Sequence, residues 1–409
     1  MAELRFEDAN TAPVIPAGGP RVLFFVHNVA ESTVRKRVLA FRQHGAEVAT
    51  AGFRRLTTDP DFQPDWPHTE FGVTRDRAFV RRAAQLAGAV ASLFFKRGEI
   101  AEAEAIYARN LDMALLAVVA SGLSGRRAPF VYEVLDVHRM LASDKPLSFI
   151  GRAVERLVLK RADLLVVSSP AFVDRYFTAR QKWQGRTVLL ENKVRDTPLR
   201  PPRPIRRPPP PGARPKWTIG WFGALRDQTS LDLLTRLADR LGDQVEIYIR
   251  GYLAGVSPEA FEAAQRRPNV VFGGPYRNPE DLAEIYGRVH FAWAVDLFDG
   301  GLNSDWLLSN RLYEGGLYGV PALAAAGTEV SRKVADLGLG WSFPAPYDEA
   351  VAAFLATLHA DVWAAKARHI LSLPESAFVD LGDTRALVQT VRELARPREI
   401  RFGAAEVLS

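Results

Sequence analysis

The run Asp299-Gly-Gly-Leu-Asn-Ser-Asp-Trp-Leu-Leu-Ser-Asn-Arg-Leu-Tyr-Glu-Gly-Gly-Leu-Tyr-Gly-Val-Pro-Ala-Leu-Ala-Ala325 reads as a loop, a helix and a buried strand in succession. Its polar residues Asn303, Ser304, Asp305, Ser309, Asn310 and Arg311 crowd the approach to the helix. Free backbone N–H groups and the helix dipole favour an anion such as a diphosphate there. Glu314 follows about one turn in, on the side that Asn310 faces. Gly315 and Gly316 each cost a helix about 1 kcal/mol relative to alanine, so the pair implies a close approach to the backbone. Gly319 and Pro321 end the helix, and residues 320–325 read as an apolar strand.

Outward from this run, the same alternation of apolar strand and amphipathic helix appears on both sides of a proline-rich segment. Residues 198–215 hold nine prolines interleaved with Arg200, Arg203, Arg206, Arg207 and Arg214. Such a run favours extended polyproline and marks a semi-rigid linker. The chain therefore divides into a first domain at 1–197, a linker at 198–216, a second domain at 217–380, and a terminal helix and tail at 381–409. The terminal helix, read at 383–394, is a candidate to pack back on the first domain. In the second domain, strands are read at 217–223, ending in Gly223, at 245–250, ending in Arg250, at 270–273 and at 290–295. In the first domain, residues 21–27 form a continuous apolar strand of the kind buried on both faces of a parallel sheet. A helix with Val34, Val38, Leu39 and Phe41 on its apolar face follows, and residues 47–52 give a second strand. Further strands are read at 105–109, 130–138, 162–169 and 187–192, with helices at 111–121 and 154–160 and one beginning near Pro170. The fold class is α/β with parallel sheets.

Ligands of such sheets meet the carboxyl ends of the strands. This places His27 and Asn28, and the polar Glu133, Asp136 and His138 of the 130–138 segment, at or near a cleft. A carboxylate there can take a proton from a hydroxyl within hydrogen-bond reach. The alternative for Asp136 is to cap the following loop or to orient His138, and a lone His27 serves equally as a structural polar residue.

With 409 residues and 47% hydrophobic content, the chain can bury two sizeable cores. It has no cysteine, and its seven histidines show no metal-ligand spacing. Asp296 and Asp299 sit in a glycine-rich loop where acids shape turns, so neither a protein-held metal nor a cofactor is expected. No apolar run is long enough to span a bilayer and residues 1–20 lack a secretory pattern, which points to the cytoplasm. The net charge of +6 suits phosphate-rich ligands, an anionic membrane or nucleic acid, but no nucleic-acid motif accompanies it. Residues 75–97 gather Arg75, Arg77, Arg81, Arg82, Lys96 and Arg97 around an apolar face containing Leu93, Phe94 and Phe95. That is the pattern of a helix lying on an anionic membrane, or of an ordinary domain-covering helix.

Ser309-Asn-Arg-Leu-Tyr-Glu314, followed by Gly319-Val-Pro321, resembles the "Pro-Asn-Lys-Leu-x-Glu-x-x-x-x-Gly-x-Pro" segment of nucleotide-sugar-dependent glycosyltransferases of the GT-B fold, chiefly family four. Residues 131–138 and 162–168 are similar to that family's "Val-Tyr-Asp-x-His" and "Ala-Asp-x-Val-x-x-Ser" segments. The wording of residues 306–314, with Ile-Tyr-Ile-Arg-Gly-Tyr at 247–252, most resembles bacterial exopolysaccharide enzymes of the succinoglycan-biosynthesis type.

The resemblance implies two Rossmann-like domains facing across a cleft. It implies transfer of a sugar from a nucleoside-diphosphate-sugar to a hydroxyl of a lipid-linked saccharide, at the inner face of the cell membrane. Glu314 would hold the ribose. Ser309, Asn310 and Arg311, with Gly223, Arg226 and Arg250, would meet the diphosphate, and Asn303 and Ser304 the sugar. Asp136, with His138 beside it, would be the base of an inverting reaction, whereas in a retaining one the leaving phosphate takes the proton. His27, Asn28 and Glu133 would line the acceptor side. Two features depart from the family. Ala224 and Thr229 stand where relatives carry Arg and Lys, and Trp306 stands eight residues before Glu314 where they carry a second Glu. A sugar-nucleotide epimerase and a non-catalytic sugar-nucleotide binder are the alternatives on the same fold.

Overall fold

The computed structural model describes residues 19–55, 62–74, 88–91, 93, 100–123, 128–203 and 216–396. The basic segment at 75–97 lies outside them apart from 88–91 and 93, as do 204–215 of the proline-rich run. Strands β1 (Arg21–Val26), β2 (Glu47–Arg55), β3 (His68–Thr74), β4 (Ala105–Arg109), β5 (Phe130–Val134), β6 (Leu164–Val167) and β7 (Thr187–Leu189) form one sheet in the order β3-β2-β1-β4-β5-β6-β7. After a short β8 (Val194–Arg195), the strands β9 (Trp217–Leu225), β10 (Val245–Leu253), β11 (Val270–Phe272), β12 (Phe291–Trp293), β13 (Ala322–Ala325) and β14 (Gly340–Phe343) form another, ordered β11-β10-β9-β12-β13-β14. Neighbours in both sheets run parallel.

The continuous apolar strands explain this arrangement. In β1, Phe25 faces a cluster with Ile106 and Met113, while Phe24 and Val26 face another with Phe41 and Tyr107. A strand buried on both faces needs crossover helices above and below, and each such side chain contributes about 1.5–3 kcal/mol. β9 does the same, with Trp217, Ile219 and Trp221 on one side and Phe222 on the other.

Several sequence-derived bounds shift. The strand read at 130–138 stops at Val134, leaving 135–138 as loop. The helix read at 154–160 starts at Pro146, whose fixed φ suits a first turn. β3, interrupted by Gly72, and β14 carry too few consecutive apolar residues to be read as strands.

A third, two-stranded sheet pairs β8 with β15 (Val379–Asp380). The helix Asp383–Ala395 beyond it buries Leu387, Val388 and Val391 in the same cluster as Val22 and Phe24 of β1. The end of the described chain thus packs on the first sheet. In both main sheets the winding reverses beside the first strand, between β1 and β4 and between β9 and β12. Ligands are met at such switch points, outside the carboxyl ends of the strands.

Candidate active site

One wall is built by the second sheet. The helix Asn310–Leu317 begins after Ser309, which has extended φ and ψ of −66° and 135° and makes no side-chain cap. Arg311 folds back toward β12: its Nε donates to Ser309 Oγ at 3.2 Å and one NH group to the Trp293 carbonyl at 2.8 Å. Glu314, one turn in, is buried and accepts from Asn278 Nδ2 at 2.7 Å and the Tyr286 hydroxyl at 2.9 Å. Burial pushes its carboxyl above the usual range, against those two hydrogen bonds and the Lys36 charge. The Gly315–Gly316 pair has an internal explanation: a Cβ on Gly316 would stand 2.2 Å from the Phe378 ring. What approaches that face of the helix is the chain's own aromatic residue.

Beside this helix, β9 passes through Gly223 at φ +109°, a conformation that favours glycine. Arg226 follows, donating to Asp296 Oδ2 at 3.2 Å with its guanidinium 5.3 Å from the Phe298 ring centroid. Burial pushes Asp296 up, but Arg226 and Arg311 outweigh it and hold the carboxyl low. Ser304 donates to the other Asp296 oxygen at 2.6 Å. Arg250 is placed differently. It donates to the carbonyls of Gly274 at 3.0 Å and Pro275 at 2.7 Å and to the Tyr248 hydroxyl at 3.0 Å. Its guanidinium pins a loop, whereas Arg226 sits among the acids of the cleft.

The first sheet supplies the opposite wall, and here the strand-end residues separate. Glu133 does not reach the cleft. It is 1% exposed and held by Arg37, whose Nε donates to Oε1 at 3.0 Å. Arg109 Nε lies 2.9 Å from the other oxygen but off hydrogen-bond alignment. Burial would push this carboxyl up; Arg109 and Arg37 outweigh it, so Glu133 stays ionised inside the domain. Asn28 is also buried, its side-chain oxygen accepting from the N–H groups of Ala30 and Arg55, both at 3.2 Å. It shapes the loop after β1. His27 lies between Glu31 and Asn110, whose Nδ2 is 3.1 Å from His27 Nδ1. Burial raises Glu31, but bonds from His27 and Thr33 and the charges of His27 and Arg109 bring it down to about 2.

His138 caps the short helix Arg139–Ala142, its Nδ1 accepting from the Met140 N–H at 3.1 Å. Asp136 stands between the domains. Solvent reaches its side chain, yet both domains crowd around it, and this enclosure pushes the carboxyl above its ordinary range. Desolvation leads, and the charges of Asp296 and Glu31 add to it; the Asn303 hydrogen bond and Arg226 pull the other way. Asn303 bridges the walls: its Nδ2 donates to Asp136 Oδ1 at 3.0 Å and its Oδ1 accepts from the Val137 N–H at 2.9 Å. Asn310 makes a second bridge, accepting from Asn192 Nδ2 at 2.7 Å.

Thus Asp136, Arg226, Asp296, Asn303 and Ser304 are drawn together, with Arg311 and Glu314 beside them; Glu133, Asn28 and Arg250 are not part of that group. Sequence reading missed five contributors. Lys36 donates to the Lys193 carbonyl at 2.6 Å, and burial, with Arg37 adjacent, lowers its ammonium to about 8. Asn278 and Tyr286 hold Glu314, with no local signal linking them to it. Trp306 and Leu307 insert into the core of the first domain, and Ser169 Oγ donates to the Trp306 carbonyl. The replacement of a family glutamate by Trp306 was the signal for that last contact. Among the described residues no cluster of three or more His, Cys, Asp or Glu could hold a metal ion, and no helix is long and apolar enough to cross a membrane.

No protein-family model matches the chain. Over 383 residues it is 38% identical to the succinoglycan biosynthesis protein ExoL of Rhizobium meliloti (strain 1021), spanning 91% of this chain and 94% of that protein. Among solved structures it is similar to sucrose-phosphate synthase from Thermosynechococcus elongatus, with a TM-score of 0.64 at 16% identity over 92% of this chain and 96% of that one. It is equally similar to Anabaena HepE in complex with UDP and glucose, with a TM-score of 0.64 at 15% identity over 91% of this chain and 100% of that one. These low-identity likenesses identify the fold of both sheets and their cleft as GT-B.

Proposed function

Since this chain belongs to the GT-B glycosyltransferases, in the family of the succinoglycan biosynthesis protein ExoL, we propose that it moves a sugar from a nucleoside-diphosphate-sugar to a hydroxyl of a lipid-linked saccharide during assembly of a bacterial exopolysaccharide. The observation that carries this reading is the placement of two held carboxylates on facing walls, Glu314 bonded by Asn278 and Tyr286 and Asp136 bonded by Asn303. Glu314 lies on the second-domain helix, and Asp136 lies on the facing wall.

In this reading Glu314 receives the ribose hydroxyls. Its bonds to Asn278 and Tyr286 fix its orientation before the donor arrives. The diphosphate lies over the start of helix Asn310–Leu317, against Ser309, Asn310, Arg311 and the backbone at Gly223. Arg226 supplies the charge that relatives draw from the Arg and Lys missing at Ala224 and Thr229. Arg250 acts only through the 274–275 loop that it pins. Asn303 and Ser304 set the sugar-side floor of the cleft through Asp136 and Asp296.

Asp136 is the base. A carboxylate whose pKa is pushed upward is a stronger proton acceptor than an ordinary aspartate. As it takes the acceptor hydroxyl's proton, the oxygen bonds to the anomeric carbon and the bond from that carbon to the diphosphate breaks. Negative charge then grows on the leaving diphosphate, where Arg226, Arg311 and the helix N-terminus stabilise it. His138 holds the loop after Asp136 by capping, and His27 stays on the acceptor side through Glu31 and Asn110. No resident metal or cofactor takes part in this scheme. A lipid-linked acceptor places the work at the inner face of the cell membrane.

The test is a screen of nucleoside-diphosphate-sugars against a membrane extract containing lipid-linked acceptors, following nucleotide release. Acceptor-dependent release that falls in Glu314→Ala and Arg311→Ala is the expected result. Release unchanged by both substitutions contradicts the donor assignment; epimerised donor without acceptor points to the epimerase, and saturable binding without release to a binding protein.

A further inference from the structure

A helix on the outside of the first domain carries an apolar and basic face that the cleft does not use. Helix Pro146–Leu159 turns Ser148, Arg152, Glu155, Val158 and Leu159 inward. On its other arc, Leu147, Phe149, Ile150 and Leu157 are exposed to 59%, 57%, 62% and 60%. They are four of the thirteen exposed large apolar side chains among the described residues, all on one fourteen-residue element. Single exposed apolar residues are ordinary, but this concentration marks an interaction surface.

The charges around that face have one sign. Lys145, Arg156, Lys160 and Arg161 are all exposed along it or at its ends. The only acid between positions 145 and 161, Glu155, is buried and accepts from the hydroxyls of Tyr132 and Tyr176. Asp144, just outside, is paired with Arg180 at 2.6 Å. Arg152 donates to the carbonyls of Leu141 and Ser143, and its guanidinium lies 4.5 Å from the Phe149 ring centroid. The aromatic ring is therefore braced from beneath while its outer side stays open. The helix also starts close to the cleft: Arg139, in the short helix that precedes it, is 3.9 Å from Asp299.

We propose that this face seats the enzyme on an anionic bilayer, with Leu147, Phe149, Ile150 and Leu157 entering the boundary between headgroups and acyl chains and the four cations meeting lipid phosphates. An amphipathic helix with a basic border lies on a membrane in this way. A protein partner fits less well, because lysine is depleted from protein interfaces and two lysines flank this patch. The inference deepens the lipid-linked-acceptor reading, since the docked face brings the mouth of the cleft to the plane where such an acceptor resides.

The test is flotation of the full chain with phosphatidylcholine vesicles, with and without added phosphatidylglycerol, in the absence of donor and acceptor. The expected result is binding to the anionic vesicles, weaker by about tenfold or more on phosphatidylcholine alone and reduced by salt. The double variants Phe149→Ser/Ile150→Ser and Lys160→Glu/Arg161→Glu should each lose about tenfold in binding while keeping the wild-type melting profile and donor affinity. Wild type that ignores anionic vesicles, or folded variants that bind as wild type does, would overturn the proposal. A dimer in sedimentation that Phe149→Ser/Ile150→Ser makes monomeric would also overturn it, assigning the face to a second copy. Failure of the transfer reading shows separately, as no nucleotide release with a detergent-solubilised acceptor whatever the vesicles do.

Discussion

The two walls of the cleft are made by the same kind of sheet, yet they use polar strand-end residues in opposite ways. On the second-domain wall, Arg226, Asp296, Ser304 and Arg311 bond one another or neighbouring backbone near the start of one helix, and Glu314, one turn in, is held by the side chains of Asn278 and Tyr286. On the first-domain wall, Glu133 is locked between two arginines, Asn28 holds a turn and His138 caps a helix, which leaves Asp136 as the carboxylate facing the cleft. A polar residue at the end of a parallel strand therefore has two fates. It stays available to a ligand when its neighbours leave it an open side, and it serves the fold when a buried partner claims it.

The substitution that tests this contrast hardest is Asp136→Asn. Transfer should fall by about 10²–10⁴ in kcat, the range for loss of a general base, with the melting temperature little changed. Glu133→Gln should do the reverse. It leaves Arg37 and Arg109 buried against a neutral group, so a loss of about 3–5 kcal/mol in denaturant unfolding is expected without a specific effect on donor affinity.

Arg226 and Arg250 provide a sharper version within one wall. Arg226→Ala should lower kcat about 10–100-fold, because a charge facing the leaving group is lost. Arg250→Ala should cost about 1–3 kcal/mol of stability, read by urea unfolding, since the Gly274 and Pro275 carbonyls lose their donor. Equal effects of the two on turnover would erase the distinction.

Asn303→Ala should act mainly through Asp136. The amide hydrogen bond lowers that carboxyl's pKa, so removing it raises the pKa further, and the acid limb of the kcat profile should move to higher pH. An unmoved limb with reduced kcat would instead mark Asn303 as a sugar contact.

The smallest effect is expected from Glu31→Gln. The Glu31 carboxyl is brought down to about 2 in the folded chain from an ordinary 4.5, so its stabilisation is full above the higher value and is lost as pH falls through the lower. With the carboxylate 32% exposed, screening reduces this to about 1 kcal/mol at neutral pH, measurable as a difference between the two proteins' unfolding curves that closes by about pH 2.

Much of this architecture was legible in the sequence because buried parallel strands are written as apolar runs. Arg21–Val26 and Ala322–Ala325 carry that signature, and Gly319 with Pro321 marked the end of the Asn310–Leu317 helix. Bounds failed where the signal is not periodic, as at Pro146 and in the 135–138 loop. The candidate site was legible where its polar residues lie on one local element, at the Asn310–Leu317 helix. It was not legible where a partner lies far along the chain. Nothing near Glu133 announces Arg37, 96 positions away, and nothing near Asp136 announces Asn303, 167 positions away. The Gly315–Gly316 pair shows the same limit, since the close approach it signalled belongs to Phe378.

Whether the second-domain wall holds the donor while the first-domain wall moves the proton is decided by measuring donor affinity and single-turnover transfer in Glu314→Ala and Asp136→Asn together. Glu314→Ala is expected to lose donor affinity by about 5-fold or more, and Asp136→Asn to bind donor as wild type does but to transfer at least about 100-fold more slowly. Asp136→Asn transferring within a few-fold of wild type, or Glu314→Ala binding donor undiminished, would contradict that division.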